Sequence, residues 1–154
     1  MHLLHRILPT QLSAGGVILV ALSVDYGTKN IGIAYSPDGV FSFPLTSVKK
    51  TDLNSDLEAI IALAKEKHAE ILIVGYPASE FESESAKFIK GFAQRLAEKS
   101  GVPVEFQDES FTSKQTREIG HAMGKTDKKM RQSKDAIEAQ IILMRWLENR
   151  VNGH

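Results

Sequence analysis

The stretch Ala21–Gly39, ALSVDYGTKNIGIAYSPDG, decides how this chain folds. An aliphatic run that begins at Val17 stops abruptly at Asp25. Gly27, Thr28 and Lys29 follow, and a second apolar run, Ile31 to Tyr35, ends in Ser36-Pro37-Asp38-Gly39. A β-branched, aliphatic run with little alternation fits a strand buried on both faces. Ser-Pro-Asp-Gly is a turn with a mechanism, because Pro presets φ and Gly tolerates the left-handed region. Val40 to Leu45 supplies a third run. Three runs joined by short turns predict an antiparallel meander.

Beyond the meander the period changes. Leu53, Leu57, Ile60, Ile61 and Ala64 fall at helical spacing, and this helix is expected to end near His68. Glu70 to Pro77, EILIVGYP, is a fourth buried strand stopped by Gly75 and Pro77. Phe88, Ile89, Phe92, Ala93 and Leu96 mark a second helix, closed by Gly101 and Pro103. Val102 to Gln107 reads as a fifth strand, and helical composition resumes from Thr112 to Met123. A last helix is expected from about Lys134 to Asn149, with Ile137, Ile141 and Met144 on one stripe. A meander followed by alternating helices and strands predicts an α/β fold. Its mixed five-stranded sheet has strands 4 and 5 parallel and is covered by helices on both faces. Residues 17–150 read as one domain. Residues 1–16 read as an N-terminal extension: an unfolded tail, an added strand, or sequence upstream of the true start.

The bulk numbers narrow the class. With 42% hydrophobic and 25% charged residues, 154 residues support one packed core rather than a disordered chain. Lys+Arg and Asp+Glu are 19 each, so nucleic-acid binding would have to rest on a local basic patch, not on global charge. The absence of cysteine removes disulfides and thiolate metal sites and fits a cytoplasmic protein. No apolar run reaches the roughly 18 residues of a membrane helix. Val17–Val24 has the length of a signal-peptide core, but Asp25 follows where a small-residue cleavage pattern belongs.

Acidic residues recur at element ends. Asp25 ends the first strand, Asp108 and Glu109 follow the fifth, and Asp135 opens the expected last helix. If strands one and five are neighbours, Asp25 and the Asp108-Glu109 pair converge at one sheet edge, and the last helix brings Asp135 to it. Carboxylates held together repel unless a cation neutralises them, and hard oxygen donors suit Mg²⁺ or Mn²⁺. Each residue also has a plainer role. Asp25 is then a turn residue, the Asp108-Glu109 pair a solvated loop, and Asp135 a first-turn acid favouring the helix dipole behind Ser133 as N-cap.

These residues carry a family resemblance. VDYGTKNIGIA resembles the opening motif of the YqgF/RuvX family of Holliday-junction resolvases and pre-16S rRNA nucleases. That motif is Asp-x-Gly-x-Lys/Arg-x-Ile/Leu-Gly-Val/Ile-Ala, met by Asp25, Gly27, Lys29, Ile31, Gly32, Ile33 and Ala34. Val74-Gly75-Tyr76-Pro77 resembles the second motif, and Asp108-Glu109-Ser110-Phe111-Thr112 the third, Asp-Glu-Arg-x-Thr/Ser. Asp135-Ala136-Ile137-Glu138-Ala139 resembles the fourth, an Asp ahead of paired alanines. The resemblance spans Val20 to Leu147. It departs at Ser110, where the family usually has arginine. It departs again after Pro77, where Ala78-Ser79-Glu80-Phe81-Glu82 replaces the usual Asn and Gly ahead of a Ser-Glu pair.

The resemblance implies a ribonuclease-H-like fold and a metal-dependent nuclease centre. Asp25, Glu109 and Asp135 would be catalytic metal ligands for Mg²⁺ or Mn²⁺, with Asp108 as a substitute ligand. Lys29 is placed to meet a phosphate. Gly124–Lys134, GKTDKKMRQSK, adds Lys125, Lys128, Lys129, Arg131 and Lys134 against one Asp127, and reads either as a solvated loop or as a loop that holds a nucleic-acid backbone. The implied substrate is structured nucleic acid, the 5′ end of pre-16S rRNA ahead of a DNA four-way junction. Junction cutting needs two symmetric centres and hence a homodimer. No dimer face is visible, so a monomer is the simpler expectation. Two other classes compete. DYGTK also resembles the phosphate loop of sugar kinases and actin-like proteins, but those sandwich a nucleotide between two such domains. A binding module with no metal is the third class.

Overall fold

The computed structural model describes residues 12–13, 16–80, 82–110 and 127–151. Two two-residue strands, β1 (Leu12–Ser13) and β2 (Gly16–Val17), pair antiparallel as a separate small sheet. The main sheet holds β3 (Ala21–Tyr26), β4 (Asn30–Ser36), β5 (Phe43–Lys49), β6 (Ile71–Tyr76) and β7 (Val104–Asp108). Its helices are α1 (Leu53–Lys67), α2 (Glu84–Ser100) and α3 (Asp127–Val151), with a short 3₁₀ turn at Ala78–Glu80.

The strand order is β5-β4-β3-β6-β7, antiparallel through the meander and parallel from β3 to β7. This is the predicted mixed sheet. The third strand starts later than expected because Asp38 prolongs the turn: its Oδ1 accepts the Val40 and Phe41 N–H groups at 2.9 and 3.0 Å. The supposition that strands one and five are neighbours is not met. β6 lies between β3 and β7.

Alternation along β3 sorts the core. Leu22 and Val24 pack with Leu57 and Ile60 of α1 and Phe92 and Leu96 of α2 on one face. Ala21 faces the other way, against Ala139, Ile142, Leu143 and Trp146 of α3. Ser23 shares that second face and donates to the Ala139 carbonyl at 2.7 Å, tying the central strand to the helix backbone. Burial of each large aliphatic side chain contributes about 1.5–3 kcal/mol. α1 begins at the N-cap Asp52, whose side chain accepts the Ser55 N–H, and α2 begins at Ser83, which accepts the Ala86 N–H.

The last helix differs from expectation in a way that matters for the site. It starts at Asp127, not near Lys134, so Asp135 lies in its third turn and Ser133 is not an N-cap. Lys128 to Lys134 holds no Gly or Pro and is rich in Lys, Met, Arg and Gln, which favour helix. The basic stretch is therefore helical from residue 127 on rather than a loop. The helix expected at Thr112–Met123 and the residue Lys125 lie outside the described residues.

Candidate metal centre

Asp25 occupies the fifth position of β3, on the face that α3 covers, where the parallel strands β3, β6 and β7 reach their C-terminal ends. That edge is where open α/β sheets place ligands. Asp25 pairs in register with Gly32 of β4. A side chain at Gly32 would overlap the Asp135 main-chain carbonyl, so the missing Cβ lets α3 press its backbone onto the sheet beside Asp25. The result brings carboxylate oxygens of Asp25, Asp135 and Glu138 within 4.8 Å of one another.

Glu138 was not singled out from the sequence. It sits three residues after Asp135, the spacing that puts two side chains on one helical face, and it is 6% exposed. Lys134, four residues earlier, places its ammonium 3.4 Å from Glu138. Ser47 of β5 reaches Asp135 with a long hydrogen bond of 3.4 Å.

Glu109 joins from β7 across β6. It follows the strand and keeps the ladder for one more residue, donating its N–H to the Tyr76 carbonyl at 3.1 Å. A Cβ on Gly75 would lie 2.9 Å from Glu109 Oε1, so glycine on β6 leaves room for this side chain to lie toward Asp25. Arg145 of α3 fixes the turn from the other side. Its Nη1 donates to the Ser110 carbonyl at 2.6 Å and, at 3.5 Å, to the Asp108 carbonyl.

Electrostatics register the crowding. Burial, the Glu138 and Glu109 charges, a hydrogen bond with Glu138 and the Asp135 charge together push the Asp25 carboxyl up to about 8. Burial and the charges of Glu138, Asp108 and Glu80 raise Glu109 as well. Asp108 behaves differently. Burial raises it, but the Ser110 hydroxyl and N–H, at 2.8 and 3.1 Å, outweigh that and hold it below the usual range. It is an exposed turn residue, outside the group of Asp25, Asp135 and Glu138. The donor set is all oxygen, mutually repulsive and clustered, which fits a hard divalent cation.

A cavity of about 690 Å³ contains Asp25, Glu109, Asp135 and Glu138 on one side and Tyr26, Lys50 and Phe88 on another. Lys134 also lines it, whereas the exposed Lys29 does not. Lys50, not singled out from the sequence, reaches the cavity because its N–H pairs with the Lys29 carbonyl at the end of β5. The helix backbone carries Lys128, Lys129 and Arg131 at 127–134, ahead of Asp135, and their side chains lie outside the description. Among the described residues, no helix is long and apolar enough to cross a membrane.

The chain is similar to known proteins in sequence and in fold. A protein from Picosynechococcus sp. named "Putative pre-16S rRNA nuclease" is 36% identical over 135 residues, covering 86% of this chain and 94% of its own. One of the same name from Anaeromyxobacter sp. is 33% identical, covering 84% and 96%. Among solved structures, T. thermophilus RuvC in complex with a Holliday junction substrate aligns with a TM-score of 0.56 at 15% identity, covering 86% of this chain and 96% of that one. The Fowlpox virus resolvase bound to Holliday junction DNA aligns at 0.58 and 16%, covering 86% and 99%. These structures share the ribonuclease-H-like sheet order. The family described as RuvX, Holliday junction resolvase, matches residues 19–149, and this chain belongs to it.

Proposed function

We propose that the chain is a metal-dependent endonuclease that hydrolyses phosphodiesters in structured nucleic acid, acting in the cytoplasm on the 5′ end of pre-16S rRNA. The observation that carries this is the approach of Asp25, Asp135 and Glu138 within 4.8 Å at the open end of the sheet. Its relatives are named as pre-16S rRNA nucleases, which favours RNA. Asp25, Asp135 and Glu138 hold Mg²⁺ or Mn²⁺, with Glu109 completing the oxygen donors. A bound ion of this kind supplies a nucleophilic water at neutral pH and charge to steady the departing oxygen.

The protein's own part is positional. Gly32 and Gly75 set how near α3 and Glu109 stand to Asp25. Arg145 holds the turn that carries Glu109. Asp25 must lose its proton to serve as a donor, which sets a lower pH boundary for the active form. Lys134 offsets part of the charge of Glu138.

A second reading, DNA-junction resolution by a homodimer, is favoured by the family's description as Holliday junction resolvase. A cleavage assay with pre-16S rRNA and a four-way DNA junction in parallel, with Asp25→Asn as control, decides between them. RNA cleavage that Asp25→Asn abolishes supports the first reading, and junction cleavage alone supports the second. Cleavage that survives Asp25→Asn removes both.

A further inference from the structure

The cavity beside the carboxylates is far larger than an ion requires, and its opposite wall has a different chemistry. Phe88, in the second turn of α2, lines it and is 44% exposed. Its ring lies 5.3 Å from Tyr26 and 6.5 Å from Phe92, so neighbours support the ring on the protein side. Tyr26 is itself fixed, because its hydroxyl donates to the buried Asp56 at 2.8 Å.

Above these rings stands Lys50. Its ammonium lies 4.5 Å from the Tyr26 ring centre and 5.7 Å from that of Phe88, and it donates to the Gly27 carbonyl at 3.3 Å. Among the described residues it makes no ion pair. A cation with no carboxylate partner among the described residues, held over aromatic rings and bonded to the carbonyl of Gly27, two residues after Asp25, is available to an anion. A supported, half-open phenyl face is available to a flat ring.

Resting on the nuclease reading, we propose that Phe88 and Lys50 form a subsite for one unpaired nucleotide, the base stacking on Phe88 and a phosphate meeting Lys50. A base inside a duplex has both faces covered by its neighbours and offers none to a protein ring. A splayed or single-stranded base does, and stacking on an aromatic side chain is strong and sequence-tolerant. The subsite therefore selects an unpaired nucleotide next to the scissile bond over a continuous duplex.

The test uses the full chain in Ca²⁺, with binding measured for an eight-nucleotide single strand carrying 2-aminopurine and for the same strand in a duplex. Phe88→Leu weakens single-strand binding roughly tenfold and duplex binding less than twofold. Phe88→Trp restores the single-strand affinity and the quenching of 2-aminopurine. Lys50→Gln lowers the salt slope of single-strand binding by about 0.7. Phe88→Leu binding single strands as the wild type does, or losing both ligands equally, overturns the proposal. Cleavage by Asp25→Asn, run alongside, separates the two claims. If it is abolished while Phe88→Leu is unaffected in every arm, the subsite falls and the nuclease reading stands. If it persists, the nuclease reading falls, and the binding arms still judge the subsite.

Discussion

Gly75 lies beneath Glu109: a Cβ built on Gly75 comes 2.9 Å from Glu109 Oε1 and 2.6 Å from Ile142 Cδ1. A glycine in a central strand weakens the strand, so its place here has a reason outside the strand. It leaves room over β6 for the side chain of Glu109, just after β7, whose charge acts on Asp25 of β3. Gly75→Val forces Glu109 or Ile142 to move. Overpacking of this kind lowers stability by about 1–3 kcal/mol. Cleavage should fall at least about tenfold even where the variant is fully folded, since small displacements at a reacting centre are expensive. Denaturant melts and initial rates on one preparation check both.

Asp25 sets a pH dependence. Its carboxyl is raised from 3.8 to about 8 in the folded chain, so between those values the native state holds a proton that the unfolded chain has lost. Stability without metal is then highest at the acid end of that window, falls as pH rises through it, and levels off above about 8. Glu109, raised by burial and neighbouring charge, slopes the same way. Thermal melts in EDTA from pH 5 to 9 should show this decline, with a shallower one in Asp25→Asn. Metal affinity should move oppositely, rising with pH until about 8, because binding expels the proton.

Glu138 should matter as much as Asp25. Glu138→Gln keeps the volume and removes a charge from the group of three. Mn²⁺ affinity and cleavage should drop by more than the roughly 10–100-fold that loss of a supporting residue costs. Asp108→Asn, an exposed turn substitution outside the group, should change cleavage by only a few-fold. Parallel rate measurements on both variants make the comparison.

Arg145 holds the turn beside Glu109 through the Ser110 carbonyl and is expected to serve the metal site through that turn. Arg145→Ala releases the Ser110 carbonyl and loosens the turn, so Mn²⁺ affinity should weaken by about tenfold. Arg145→Lys should recover part of it. In a double-mutant cycle with Glu109→Gln the two effects should be non-additive, because each removes the same contribution. Additive losses would show that Arg145 serves the fold or the substrate instead.

The sheet was legible because Val17–Val24, Ile31–Tyr35 and EILIVGYP are apolar runs bounded by Gly, Pro and Asp signals. Asp25 at a strand end and Asp135 in the last helix were visible for the same reason. The start of that helix was not, since Ser133-Lys134-Asp135 mimics a cap while the residues before it are themselves good helix formers. Glu138 did not depend on where the helix starts: within the expected Lys134–Asn149 span it already lies three residues after Asp135 and so on the same face, and that spacing was the signal that could have found it. Neighbour relations between strands are set by parallel crossovers, which periodicity does not encode, so the role of Gly75 as a passage for Glu109 appeared only in three dimensions. Lys50 became a cavity residue only through the pairing of its N–H with the Lys29 carbonyl, a long-range contact that no local pattern announces.

The most direct test of the central claim is the melting temperature at pH 8 as Mn²⁺ is raised from micromolar to millimolar, for the wild type and for Asp25→Asn. A cation bound only by the folded chain raises stability by RT ln(1 + [Mn²⁺]/Kd). The account predicts a wild-type melting temperature that climbs steadily with Mn²⁺ and an Asp25→Asn curve that stays flat. A wild type that does not shift at millimolar Mn²⁺, or an Asp25→Asn variant that shifts equally, would contradict it.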